Sequence, residues 1–113
     1  MEVVKSNETV RYQNSESCVV IEYEMHDEKD INGAVIELTG RYPESGFVTN
    51  DVSKELVYVI NGTGKLVCSN TETTLQARDM ILIQPGEIYY FEGKLSMLIS
   101  SSPAWYPEQH RNV

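Results

Sequence analysis

Glu55-Leu56-Val57-Tyr58-Val59-Ile60-Asn61-Gly62-Thr63-Gly64 is the stretch on which the fold turns. A carboxylate leads an apolar run rich in β-branched and aromatic side chains, and turn-prone residues follow. In a strand successive side chains point to opposite faces, so Glu55 shares a face with Val57 and Val59, while Leu56, Tyr58 and Ile60 form the other. A strand apolar on both faces is covered on both. If the face of Val57 and Val59 lines a core, Glu55 sits in it and must be hydrogen-bonded, paired or protonated. Asn61-Gly62-Thr63-Gly64 predicts a hairpin turn into Lys65-Leu66-Val67-Cys68.

Outward from this stretch the chain continues to read as short strands. In Ser17–Met25, Val19, Ile21, Tyr23 and Met25 take one face and Glu22 and Glu24 the other. Asn32-Gly33 predicts a turn, followed by a strand over Ala34–Thr39. Pro43 and Gly46 end that strand. Thr71–Leu75, Asp79–Ile83, Ile88–Phe91 and Leu95–Ser100 are further strands, separated by turns at Pro85-Gly86 and Glu92-Gly93. The prolines of Pro103-Ala104-Trp105-Tyr106-Pro107 keep the tail from forming a regular helix or a central strand. No window carries a good 3.6-residue apolar period. Many short strands with turns between them mean an all-β sandwich or barrel. An immunoglobulin-type sandwich wants its tryptophan between two cysteines, and Trp105 follows both Cys18 and Cys68.

The chain has 113 residues, with 9 Lys and Arg against 17 Asp and Glu, for a net charge of −8. That length fits one domain over residues 1–113, with a core at about 17–100 and a tail at 101–113. The charge speaks against nucleic acid and against anionic membrane as partners, since both call for a basic face. The start is acidic, no apolar run approaches the roughly 18 residues of a membrane span, and the two cysteines match no metal or redox spacing. A cytoplasmic protein with reduced thiols is expected.

Two segments resemble the motifs of the cupin superfamily. The first is Glu55 to Gly64, in which a glutamate is followed after six residues by Gly62. The second, Arg78 to Gly93, has an acidic residue (Asp79), an apolar strand, a Pro85-Gly86 turn and a further strand. The likeness runs from about Ala34 to Ser100, and the tail through His110 is similar to the ends of some small bacterial cupins. The resemblance implies a single-domain jelly-roll, or double-stranded β-helix, barrel. It does not imply one activity, because this fold hosts isomerases, dioxygenases, decarboxylases and sugar binders. A typical cupin metal site has two histidines before the glutamate and one in the second motif. Here the corresponding positions are Thr49 and Asp51, or Val48 and Asn50, and then Tyr89. Only Glu55 matches, so no cofactor is expected. The alternative is an oxygen-only site from Asp51 and Glu55 with Tyr89, which would suit calcium or magnesium.

The function expected is binding of a small polar molecule, a sugar or another metabolite, by Thr49, Asp51, Glu55, Tyr89 and Phe91 in the barrel. One alternative is an acid–base enzyme, such as a sugar epimerase or isomerase, working through Glu55 and Tyr89. Another is a structural or regulatory dimer with a vestigial pocket, in which Glu55 is held by Tyr89, Thr49 or Arg41. His26 and His110 are expected at the surface, and Trp105 and Tyr106 in packing. Glu22, Glu24, Asp27, Glu28 and Asp30 read as a solvated edge. The apolar face of Leu56, Tyr58 and Ile60 calls for a homodimer, unless residues 1–16 or the tail cover it.

Overall fold

Alternation over one long strand sets the architecture. In the computed structural model, which describes residues 1–113, β8 (Tyr89–Ser102) buries Tyr89, Phe91, Leu95, Met97 and Ser101 and turns Glu92, Leu98 and Ser102 outward. That period of two is the signature of a strand with one covered face. β8 pairs antiparallel along its length with β3 (Asn32–Tyr42) on one edge and with β5 (Lys54–Cys68) on the other. β3 continues the sheet through β2 (Cys18–Tyr23) to β1 (Val10–Ser15). The far edge of β5 is shared, its first half pairing β7 (Met80–Ile83) and its second half β6 (Thr71–Gln76). β4 (Val48–Asn50) joins the end of β8 at Tyr89 and pairs with β9 (His110–Asn112). The result is one curled antiparallel sheet, the expected all-β jelly-roll architecture, wrapped around a concave face.

Three of the expected turns lie inside strands. β5 passes straight through Asn61–Gly64, and β8 through Glu92-Gly93. Asn32-Gly33 opens β3 instead of turning. In the first two the glycines serve close approach rather than reversal. Gly64 pairs with Gly93, and a Cβ on Gly93, where φ is +139°, would lie 2.5 Å from the Gly64 Cα. The register shift between Val59 and Asn61 lies just before that crossing, where β5 changes partners from β7 to β6. The tight hairpin is instead at Ser69-Asn70, both with positive φ, which joins β5 to β6.

The two ends also extend the sheet beyond the expected core. Residues 10–15 form β1, and after a 3-10 turn at Pro107–Gln109 the tail returns as the edge strand β9. Edge pairing is compatible with the prolines that precede it.

The face expected to group Val19, Ile21, Tyr23 and Met25 is divided. Tyr23 and Met25 line the concave face along with Cys18, Val20, Glu22 and Glu24, and Val19 and Ile21 do not. The outer face of β5 stays open: Leu56 and Ile60 are 42% and 46% exposed, so neither the first residues nor the tail covers it.

The glycine crossing carries a prediction. Gly93→Ala should lower stability by roughly 2–4 kcal/mol in urea unfolding, from overpacking plus backbone strain. Gly33→Ala, whose Cβ would meet nothing closer than 3.7 Å, should change it by no more than about 1 kcal/mol. Equal losses would show that the crossing is not tight.

Candidate functional site

The concave face encloses a cavity of about 490 Å³. Its walls are the inward residues of β2, β3 and β8, among them Val20, Ile36, Leu38, Phe91, Met97 and Ile99. Its floor is polar. Glu55, at the start of β5, is buried and accepts a hydrogen bond from the Tyr89 hydroxyl at 2.9 Å. Burial raises the Glu55 carboxyl above its ordinary range, and hydrogen bonds from Tyr89 and Asn50 hold part of that rise back. Burial and the adjacent carboxylate push the Tyr89 phenol well above its usual value.

A second pair stands beside the first. His110 Nε2 lies 2.8 Å from the Tyr42 hydroxyl, and His110 Nδ1 lies 2.8 Å from Asn50 Oδ1. The proton positions follow from donor chemistry. The indole Nε1–H of Trp105 can only donate, and it sits 2.9 Å from Asn50 Oδ1, so that atom is an acceptor. His110 Nδ1 must then carry hydrogen toward the same oxygen. Burial lowers the His110 pKa from its ordinary 6.5, which keeps the ring neutral near pH 7 and leaves Nε2 with a free lone pair. Tyr42 therefore donates to Nε2. Burial is also the main cause that pushes the Tyr42 phenol up to about 12.

The backbone explains these positions. β4–β9 pairing sets Asn50 directly opposite His110. Asn32, at the head of β3, grips the backbone of Trp105 from both sides: its Nδ2 donates to the Trp105 carbonyl at 3.1 Å and its Oδ1 accepts from the Trp105 N–H at 2.9 Å.

Of the residues expected to form the pocket, Glu55, Tyr89 and Phe91 converge on the cavity. Asp51 does not. It is exposed, one residue beyond the end of β4, and pairs with Arg111 at 3.0 Å, which the β4–β9 register sets opposite Thr49. Thr49 is buried away from the cavity, and its hydroxyl has no partner. Arg41 is not the partner of Glu55. It donates to the Pro43 and Gly46 carbonyls and stacks 3.8 Å over the Tyr90 ring. His110 belongs to the site and not to the surface, and Glu24, Asp27, Glu28 and Asp30 are exposed as expected of a solvated edge, with Glu22, Glu24 and Glu28 also lining the mouth. Sequence reasoning did not bring Tyr42, Trp105 or His110 to the site, and it offered Asn50 only as an alternative position for a missing metal ligand. The one available signal was the polar tail that ends in His110, whose return to β4 is a long-range pairing.

The donor set does not fit the metal expected of this fold. One imidazole and one carboxylate meet at the floor, both His110 nitrogens are engaged, and Asp51 is turned away from Glu55. No group of three or more His, Cys, Asp or Glu side chains is placed to hold a metal ion.

Neither a protein-family profile nor a curated protein sequence matches the chain. Solved structures do match. Pac13, described as a nucleoside dehydratase, superposes with a TM-score of 0.88 over 100% of this chain and 91% of its own, at 18% identity. KdgF from Halomonas sp. gives 0.71 over 90% of this chain and 94% of its own, at 11% identity. Oxalate decarboxylase from Bacillus subtilis gives 0.81 over 95% of this chain and 30% of its own, at 9% identity. The fold is cupin-like. Histidine-to-glutamine and tyrosine-to-phenylalanine variants of the Streptomyces dehydratase are known with uridine. No helix of this cupin-like chain is long and apolar enough to cross a membrane.

The Glu55–Tyr89 pair yields a prediction. Glu55→Gln keeps an acceptor for Tyr89 and removes a buried carboxylate, so stability at pH 7 should stay within about 1 kcal/mol or rise. Tyr89→Phe leaves the carboxylate without its donor and should cost roughly 1–3 kcal/mol. Chemical unfolding of both variants checks the order, and a larger loss in Glu55→Gln would contradict it.

Proposed function

We propose that this chain binds a small polar molecule of sugar or nucleoside size in its barrel, without a histidine-based metal centre. The observation that carries the reading is the cavity itself. Its volume of about 490 Å³ lies within the common range for small-molecule sites, roughly 300–1,000 Å³. Apolar walls surround a few convergent polar groups: Glu55, Tyr89, Tyr42 and His110. The likeness to Pac13, whose variants hold uridine, supports the size class.

A second reading is acid–base catalysis, and a specific observation favours it. Two hydrogen-bonded pairs of ionisable groups, Glu55 with Tyr89 and His110 with Tyr42, face one cavity, and burial displaces all four pKa values. Such displaced pairs are what proton transfer to and from a bound substrate requires. The candidate catalytic groups are Glu55 and Tyr89, joined by His110 and Tyr42. A metal-free lyase or isomerase acting on a polyhydroxylated substrate is the matching reaction class.

A thermal-shift screen of sugars, nucleosides and related metabolites tests the binding reading. A ligand at 100 times its dissociation constant should add about 2.7 kcal/mol of stability, and Glu55→Ala should abolish the shift. A screen that shifts nothing, with Glu55→Ala as stable as the parent, would leave the cavity vestigial.

The same reading includes a homodimer and a cytoplasmic location, the latter in keeping with the free thiols of Cys18 and Cys68. Across β7, β5 and β8 the outward residues line up in register, with Met80 opposite Tyr58, Tyr58 opposite Leu98, and Leu82 opposite Leu56. Met80, Leu82, Leu56 and Leu98 are 42–60% exposed. A two-fold contact sets a patch against itself, so in a chain of net charge −8 it needs an uncharged face. This row is uncharged and apolar, as a subunit contact requires. Light scattering at micromolar concentration should give twice the chain mass, whereas a monomer would remove this part of the reading.

A further inference from the structure

The floor of the cavity is already supplied with protons from within. Tyr42 gives its proton to His110 and Tyr89 gives its proton to Glu55. A phenol whose proton is engaged presents only lone pairs to anything else. Trp105 Nε1–H and His110 Nδ1–H both end on Asn50 Oδ1. The Asn50 side chain also acts on Glu55 and Tyr89, lowering the pKa of each against the rise that burial causes. Tyr42, Tyr89 and Glu55 thus turn oxygen lone pairs to the cavity, and the donors left in its lining are neutral side chains such as Ser101 and Asn14.

The mouth continues the pattern. Glu22, Glu24 and Glu28 line it together with Tyr12. None of the 9 Lys and Arg residues lines the cavity. The ion pairs in the molecule join Lys65 to Glu72 and Glu92, and Arg111 to Asp51, all elsewhere.

We propose that the cavity selects ligands rich in hydrogen-bond donors, bearing hydroxyl or ammonium groups, and rejects carboxylates and phosphates. The proposal rests on the reading of the cavity as a small-molecule site and narrows its chemistry. A carboxylate or phosphate would bring its lone pairs against those of Tyr42, Tyr89 and Glu55, and would lose hydration with no lysine or arginine to replace it. A hydroxyl or ammonium supplies the protons the floor lacks, and toward Glu55 or the mouth carboxylates those hydrogen bonds are charge-assisted. Sites that hold fixed polar groups discriminate strongly on this basis.

Two measurements test it. Nitrogen-resolved NMR of the His110 ring at pH 7 should show a neutral imidazole protonated at Nδ1. A ring protonated at Nε2, alone or in an imidazolium, would release the Tyr42 proton toward the ligand and overturn the proposal. NMR titrations of the full chain with ethylammonium, glycerol, acetate and inorganic phosphate, read on the Tyr42, Tyr89 and Phe91 side chains, give the second. Ethylammonium and glycerol should bind about tenfold or more tightly than acetate and phosphate. Glu22→Gln combined with Glu24→Gln should narrow the gap between ethylammonium and acetate. Acetate or phosphate binding as tightly as ethylammonium would overturn the proposal. A metabolite screen that shifts nothing defeats the broader binding reading alone, because the His110 tautomer is decided on the protein without a ligand.

Discussion

The pairing of β5 with β8 is the constraint on which the rest of the structure depends. It runs from Lys54 opposite Ser102 to Cys68 opposite Tyr89, and it holds both motif segments in one ladder. Because β3 pairs the other edge of β8 over nearly the same span, β8 is the spine of the sheet. The spine can curl only where two backbones cross without side chains, at Gly64 and Gly93. Curling sets β2 and β3 on one side of the concave face and Glu55 on the other, and the space between them is the cavity.

The same ladder explains how much of the fold was legible. Alternation within β5 and β8 is local, so the inward placement of Glu55, Val57 and Val59, and of Tyr89 and Phe91, follows from period two alone. Glycine is ambiguous at this level. Asn61-Gly62 reads equally as a hairpin or as a strand that must touch another backbone, and only the partner at Lys94 and Leu95 decides. The orientation of β2 was illegible for a related reason. Its apolar residues occupy both faces, and the carboxylates that mark the solvent side also mark the mouth of a cavity.

The site was half legible. Glu55 and Tyr89 lie on the two strands of the ladder, and a buried carboxylate calls for a donor, so their meeting follows from the pattern and from the physical chemistry of burial. Asp51 was misplaced by one side of a strand, since the side-chain period turns it outward to Arg111 while Asn50 points in. His110, Tyr42 and Trp105 depend on the last strand folding back onto β4 across 60 residues of sequence, from His110 to Asn50, and no local pattern encodes that return.

That return also makes the floor rigid. Asn50 accepts from Trp105 and His110 through one oxygen, and Trp105 is itself clamped by Asn32 at the head of β3. The tail thus meets β4 at a single amide and is anchored to β3 through Trp105, and each hydrogen bond fixes the direction of the next. Such a network does not rearrange to suit a ligand at small cost, because turning the Asn50 amide would leave an indole N–H and an imidazole N–H buried without acceptors. The polarity that the cavity presents is therefore a property of the fold, set before any ligand arrives. A site preorganised in this way distinguishes ligands by where their protons are as much as by their shape.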